Sequence, residues 1–497
     1  MPIRRAAQTR PQLMDLRLVA YTNGILLLIL AAALGLLGLS ALTENGSYDL
    51  AFIGGGFTTA FFGGLLVAAN RGRWHGVISV RTGYLMTFSC WLMLALFSTL
   101  PLYYSDLGLS FSDALFETVS ALTTTGSTVI SGLDDMPRDL LLWRSILQWL
   151  GGIGIIVMAM AILPMLKVGG MNLFKSESSD ITGKVTARMD FFVKVTVAAY
   201  AILTTICAFL YKLAGMSWFD AVNHAMATIS TGGFSTHDAS MGYFNSAWIE
   251  AIAIVFMMAG AIPLVMYVKF LIFYRGDKSM QSYTQVKGFL CIWAVAVAIM
   301  AFWNWQENGM AFLSALRVSA FNITSILTDT GFATADFSQW GHFAIGFFFF
   351  LYFVGGCAGS TSGAVKVFRW QILFKGLYAQ FKRNLSPNAV ITVHYAGKPL
   401  DEKVMHSVRN FLFLYFVTFC FFSLVMMGFG IDFLGSVSSV AQAMANAGPA
   451  LTASLGPAGN FSSIPDGAKW ILSLVMIIGR LELFTFYALL LPSFWRQ

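Results

Sequence analysis

Four short segments place polar side chains beside a glycine in the same register. They are Thr124-Thr125-Gly126-Ser127, Thr231-Gly232-Gly233-Phe234, Asp329-Thr330-Gly331-Phe332 and Asn446-Ala447-Gly448-Pro449. Aligned on Gly126, Gly233, Gly331 and Gly448, they are spaced by 107, 98 and 117 residues. The chemistry they offer is coordination by the backbone. Glycine adopts dihedrals barred to other residues, which lets successive carbonyls turn toward one axis. Rings of such oxygens replace the hydration shell of a monovalent cation. One segment alone reads as an ordinary helix-ending turn, whereas four in register point to four quarters around one pore.

The elements that must position these segments repeat with them. Each segment follows a short amphipathic helix, expected at Phe111–Leu122, Trp218–Ile229, 313–327 and Phe433–Ala445, and precedes a long apolar one. The short helices cannot cross a hydrocarbon core of ~30 Å. Irregular backbone at membrane depth is tolerated only inside protein or along a water-filled path. Half-helices descending from the outer side would direct their partly negative C-terminal ends to the membrane centre, which favours a cation there. Asp113 and Asp220 suit the positive N-terminal ends of the first two. The alternative, amphipathic helices lying on the membrane surface, gives no reason for a Thr/Gly loop followed at once by a full span.

The expected fold is therefore an all-α integral membrane protein. A helix pair at 1–81 precedes four tandem helix–pore-loop–helix repeats at 82–189, 190–285, 286–403 and 404–497, around a central pseudo-fourfold pore. The total is ten spanning helices and four half-helices, with both termini cytoplasmic. The first apolar run is too long for a cleaved signal core and reads as a retained helix.

Composition agrees. Of 497 residues, 57% are hydrophobic and 11% charged, against about 25% charged in soluble domains. The net charge of +7 does not indicate nucleic acid. All Lys and Arg except Arg138, Arg144, Lys212, Arg317, Lys469 and Arg480 fall in one alternate set of loops or at adjoining helix ends, which marks the cytoplasmic side. Acidic residues including Asp134, Asp220 and Asp238 populate the opposite loops and would concentrate cations at the pore mouth. Cys90, Cys207, Cys291, Cys357 and Cys420 lie in membrane runs without a CxxC pattern and read as packed, reduced thiols. No histidine pair has metal-binding helical spacing, and His237 reads as a vestibule residue. The polar loop 167–188 and the basic loop 369–403 read as connectors or docking sites for a cytoplasmic partner.

These residues resemble the Trk/Ktr/HKT superfamily of potassium transporters, most closely its bacterial TrkH/TrkG branch. The resemblance rests on the four segments, on Gln148-Trp149-Leu150-Gly151-Gly152-Ile153-Gly154, on the stretch from Gly355 to Gly363, and on Gly479-Arg480-Leu481-Glu482. It implies potassium uptake across the bacterial inner membrane, with K+ bound at a selectivity filter made by the sixteen residues of the four segments. Within the superfamily, glycine in the first filter strand goes with potassium selectivity and serine with sodium; here the residue is Gly126. The resemblance further implies a homodimer and a TrkA-type cytoplasmic subunit that binds nucleotides. No organic cofactor and no enzyme activity are implied.

It also implies a gate beneath the filter, formed by Gly355, Gly356, Gly359, Ser360, Thr361, Ser362, Gly363 and Arg480. Glycines at that density disfavour a straight helix, each costing about 1 kcal/mol; the alternative is close helix packing through small residues. Arg480 is expected well inside an apolar helix, where a charge costs ~3 kcal/mol. It therefore faces the pore or a buried acid, and Glu482, two residues on, points to another face. Lys366, Arg369 and Lys375 are expected at the membrane interface. Asp329 departs from the Thr124, Thr231 and Asn446 pattern. Its carboxylate either strengthens cation attraction at the filter or turns behind it to accept backbone hydrogen bonds. Two rival functions stay open: a K+/Na+ or K+/H+ symporter of the same architecture, and a membrane enzyme, which would need a His/Asp/Ser/Cys cluster at membrane depth.

Overall fold

The computed structural model describes residues 14–45, 49–72, 79–161, 185–264, 266–267 and 284–496. Most of the loop 167–188 therefore lies outside the described residues. The chain forms two compact units. One runs to Asp106 and resumes at Leu481; the other is Leu107–Arg480.

The first unit contains α1 (Leu16–Asn45), α2 (Leu50–Ala69), α3 (Val80–Ser98) and the short α4 (Leu100–Tyr104). The chain's last helices return to it. Asp49 caps α2 by accepting the amides of Ala51 and Phe52, the usual satisfaction of orphan N–H groups at a helix start. Asn23 of α1 donates to Ser89 of α3 at 2.8 Å. The helix α3, assigned by sequence to the first repeat, thus packs with the N-terminal pair.

The second unit holds α5 (Phe111–Leu122), α6 (Arg138–Ala161), α7 (Val185–Leu213), α8 (Trp218–Ile229), α9 (Ala247–Ala261), α10 (Thr284–Gln306), α11 (Phe312–Leu327), α12 (His342–Leu351), α13 (Val367–Leu385), α14 (Glu402–Gly428), α15 (Phe433–Ala445) and α16 (Asp466–Arg480). A two-stranded hairpin, β1 (His394–Tyr395) with β2 (Lys398–Pro399), lies between α13 and α14. Beyond α16, α17 (Leu483–Leu490) and α18 (Pro492–Trp495) belong to the first unit, where Phe486 packs on Phe88 of α3 at 6.0 Å between ring centroids.

The four short helices are α5, α8, α11 and α15, within a residue of their expected bounds. The first two start alike. Ser110 accepts the Asp113 amide and donates to its carboxylate, and Ser217 does the same with Asp220. This reciprocal capping ties each N-terminus to an acid that also suits the helix dipole. Asp432 caps α15 alone by accepting the Gly435 amide.

Among the described residues, six helices (α1, α2, α3 with α4, α7, α10 and α14) are long and apolar enough to cross a membrane, and a seventh if α16 and α17 are taken as one interrupted span. The ten spans expected from sequence are thus not ten unbroken helices. Those following the second, third and fourth glycine segments stop early: α9 at Ala261, two residues before Pro263, α12 at Leu351, and α16 at Arg480. Proline lacks the N–H a helix needs, and the glycines after α12 weaken helix further.

Candidate functional site

The four segments share one backbone conformation. Two residues before each aligned glycine, Thr124, Thr231, Asp329 and Asn446 have φ of 55°, 53°, 58° and 59°. The glycines themselves have φ of 88°, 78°, 91° and 92°. A left-handed non-glycine residue is uncommon, so four at equivalent places mark an imposed geometry. Each is secured by its own half-helix. The amides of Thr125, Gly232, Thr330 and Ala447 donate to Ser120, Ala227, Ser325 and Gln442 carbonyls at 2.8, 2.8, 2.8 and 3.0 Å.

The segments meet in a closed ring. A β-carbon on Gly126 would lie 2.4 Å from the Gly232 carbonyl oxygen, and one on Gly233 would lie 1.9 Å from that of Thr330. One on Gly331 would lie 2.8 Å from the Ala447 oxygen, and one on Gly448 would lie 3.1 Å from that of Thr125. Each quarter's glycine abuts the carbonyl just before the next quarter's glycine, and the fourth returns to the first. Glycine is required here by close backbone approach as much as by dihedral.

Side chains lock the ring in the same cyclic order. Gln148 of α6 donates Nε2 to the Gly232 carbonyl at 2.5 Å and accepts the Phe234 amide at 3.2 Å. Glu250 of α9 receives a two-pronged ion pair from Arg317 of α11 at 2.6 and 2.7 Å. Tyr352, just past α12, donates to the Pro449 carbonyl at 2.5 Å. Lys469 of α16 pairs with Asp113 of α5 at 2.6 Å. Each quarter's second helix therefore engages the next quarter's glycine segment or short helix. Ser127 adds a contact between strands, donating to the Gly448 carbonyl at 2.7 Å. Of the exceptions to the charge bias, Arg317 and Lys469 are consumed in these ties, Arg144 pairs with Glu117, and Arg138 and Lys212 lie over the rings of Phe219 and Trp218.

One set of residues escaped sequence reasoning. Nine positions before the aligned glycines stand Glu117, His224, Asn322 and Ser439, all fully buried or nearly so. Three reach forward to the strand beyond the glycine. Glu117 accepts from Thr128 and Val129, His224 Nε2 lies 3.0 Å from Ser235 Oγ, and Asn322 bonds both the amide and the hydroxyl of Thr334. Extending the glycine alignment backwards would have found them.

The stretch 355–363 is a non-helical loop packed against the ring segments, with Thr231 Oγ1 3.2 Å from Thr361 Oγ1. It is pinned from several sides. Thr361 donates Oγ1 to the Gly260 and Ile229 carbonyls, Cys357 donates its amide to Ala261, and Ala364 donates its amide to Ala445. Arg480 donates Nη1 to the Thr361 carbonyl at 2.8 Å, while its Nε and Nη2 make no hydrogen bond to described residues. Arg480 does not lie inside a continuous helix as the sequence suggested. It is the last residue of α16, and Glu482 has φ of 62°, so the helical-face argument for Glu482 does not apply. Lys366 and Arg369 also depart from expectation. Both are buried: Lys366 donates to the Ser362 carbonyl, and Arg369 stacks 3.7 Å over Phe411. Lys375 bonds the His394 carbonyl. Cys207 and Cys357 are buried, but Cys291 and Cys420 are exposed on α10 and α14.

Asp329 is fully buried, and its carboxylate lies against the loop. A β-carbon on Gly355 would lie 3.1 Å from Asp329 Oδ2. Neither oxygen meets hydrogen-bond geometry with a described donor, although the Gly363 amide and Ser362 hydroxyl flank it; Lys366 and Arg480 are the cations that act on it. Three residues past Phe234, His237 stacks 3.5 Å over Tyr243 and bonds Asp134 at 2.5 Å. That hydrogen bond holds the Asp134 carboxyl below the ordinary carboxylate range.

Residues 50–494 match the family described as TrkH, cation transport protein. The Trk system potassium uptake protein TrkI of Halomonas elongata is 43% identical over 416 residues, covering 83% of this chain and 84% of that protein. The Trk system potassium uptake protein TrkH of Escherichia coli is 35% identical, covering 97% of this chain and all of that protein. The crystal structure of the potassium transporter TrkH from Vibrio parahaemolyticus superposes with a TM-score of 0.88 at 35% identity, covering 97% of this chain and all of the other.

Proposed function

The chain belongs to the TrkH family of cation transport proteins, and on that premise we propose that it is a gated, potassium-selective pore of the bacterial inner membrane. It is a multi-pass membrane transporter and not an enzyme, which sets aside the membrane-enzyme reading. K+ sheds its water against carbonyl oxygens of the four strands, held where a rigid ring compensates dehydration. Negative half-helix ends stabilise the ion, and the acidic loops raise the cation concentration at the mouth. The membrane potential drives inward movement by about 2.3 kcal/mol per 100 mV.

The loop 355–363 and Arg480 form the gate. Arg480 places a fixed positive charge against that loop, opposing cation passage until the loop moves. A TrkA-type, nucleotide-binding cytoplasmic subunit controls that movement, and the protein works as a homodimer with cytoplasmic termini.

The observation that supports this reading is the closed cycle of glycine-to-carbonyl contacts, which gathers four distant segments about one centre. Growth of a potassium-uptake-deficient bacterium at low K+, with this chain expressed with and without a TrkA-type partner, tests it. Rescue that depends on the partner is expected; no rescue in either case, with the protein present in the membrane, refutes it.

A further inference from the structure

Glu117 and Arg144 form an ion pair at 2.9 Å with side chains 0% and 1% exposed. Burying two charges is costly unless the remaining valences are satisfied, and here nearly every one lands on the backbone or side chains that follow the ring glycines. Glu117 accepts the Thr128 hydroxyl at 3.0 Å through both oxygens and the Val129 amide at 2.9 Å. Arg144 donates Nη1 to the Ser235 carbonyl at 3.3 Å, and its guanidinium lies 4.1 Å from the centre of the Phe234 ring. The pair thus touches the strand after Gly126 on one side and the strand after Gly233 on the other.

The neighbouring quarters use neutral or single groups at the matching position. His224 and Asn322 each support their own strand, and Ser439 Oγ bonds nothing among the described residues. Only at the first position does a charged pair extend the support to the next strand.

We infer that Glu117 and Arg144 are positioning residues for ion selectivity, a buried clamp that sets the spacing between the first and second filter strands. The inference rests on the reading of the four strands as a filter. A carbonyl ring discriminates K+ from Na+ through the number and placement of its oxygens. A clamp spanning two strands fixes that placement, whereas a single hydrogen bond within one strand does not. Lysine in place of Arg144 keeps the charge but loses the planar fork that reaches Glu117 and Ser235 together.

The test is the Na+/K+ permeability ratio of the full-length protein in proteoliposomes, from reversal potentials. Arg144→Lys and the charge-free pair Glu117→Gln/Arg144→Gln are compared with Gly126→Ser. The double variant leaves no unpaired buried charge and therefore escapes the main cause of misfolding. The ratio is expected to rise about tenfold in Arg144→Lys, equivalent to ~1.4 kcal/mol of discrimination, and to rise in the double variant. A purely structural role would lower the yield of assembled protein without moving the ratio. If Gly126→Ser changes the ratio and both clamp variants leave it alone, the clamp role is overturned. If no variant changes it, the filter reading itself fails. Clamp variants that never assemble where Gly126→Ser does would make the pair a folding element and would also overturn the proposal.

Discussion

Gly233 faces the carbonyl oxygen of Thr330 so closely that a β-carbon would sit 1.9 Å from it. The two residues belong to different quarters, 97 positions apart in sequence. This is the tightest of the four contacts that close the ring, and it makes Gly233 the least tolerant of the four ring glycines.

Gly233→Ala should therefore abolish K+ uptake. The added carbon forces backbone apart, at a cost of ~1–3 kcal/mol for overpacking, and the left-handed dihedral adds about 1 kcal/mol. Gly346→Ala on α12 is the control, since a β-carbon there meets nothing within 4 Å. Growth rescue at low K+ should fail for the first and persist for the second. Rescue by Gly233→Ala would mean the strands do not form the ion path.

Asp329→Asn should reduce cation flux and lower stability. The carboxylate is the buried acid acting with Lys366 and Arg480. With an amide in its place, Lys366 and Arg480 lose the group that offsets them, which lowers the stability of the fold around the loop. Adding Arg480→Gln should restore part of both. The check is Rb+ uptake with thermal melting in detergent; unchanged melting with raised Na+ leak would put the carboxylate in the ion path instead.

Arg480→Ala should increase cation flux about tenfold, because it removes both a charge-assisted hydrogen bond to the Thr361 carbonyl, worth roughly 1.5–3 kcal/mol, and a positive charge beside the loop. Flux measured in proteoliposomes without a cytoplasmic partner reads this directly. Normal flux in a well-assembled variant would remove Arg480 from the gate.

Asp134 should make the stability of its loop depend on pH. Its carboxyl titrates below its unfolded value of ~3.9 because of the His237 hydrogen bond. The stabilisation is thus present in full above the unfolded value and is lost as pH falls through the lowered folded one. The melting temperature of wild type should exceed that of Asp134→Asn at neutral pH, by a margin that shrinks only in acid. A margin that grows on acidification would contradict the assignment.

The sequence alone determined the membrane class and the places of the four half-helices and strands. Those features are local. Apolar runs, the Ser-x-x-Asp caps at Ser110 and Ser217, and glycine two residues beyond a polar side chain each act within a turn or two of backbone. Tertiary structure decided what the strands touch. The cyclic order of contacts, the clamp of Arg144 on Glu117 and Ser235, the burial of Lys366 and Arg369, and the helix end at Arg480 depend on partners as distant in sequence as Thr125 and Gly448. Hydrophobic periodicity states which face is buried but not against whom. The charge of Arg480 was legible as an anomaly, yet only packing against Thr361 shows what that charge holds.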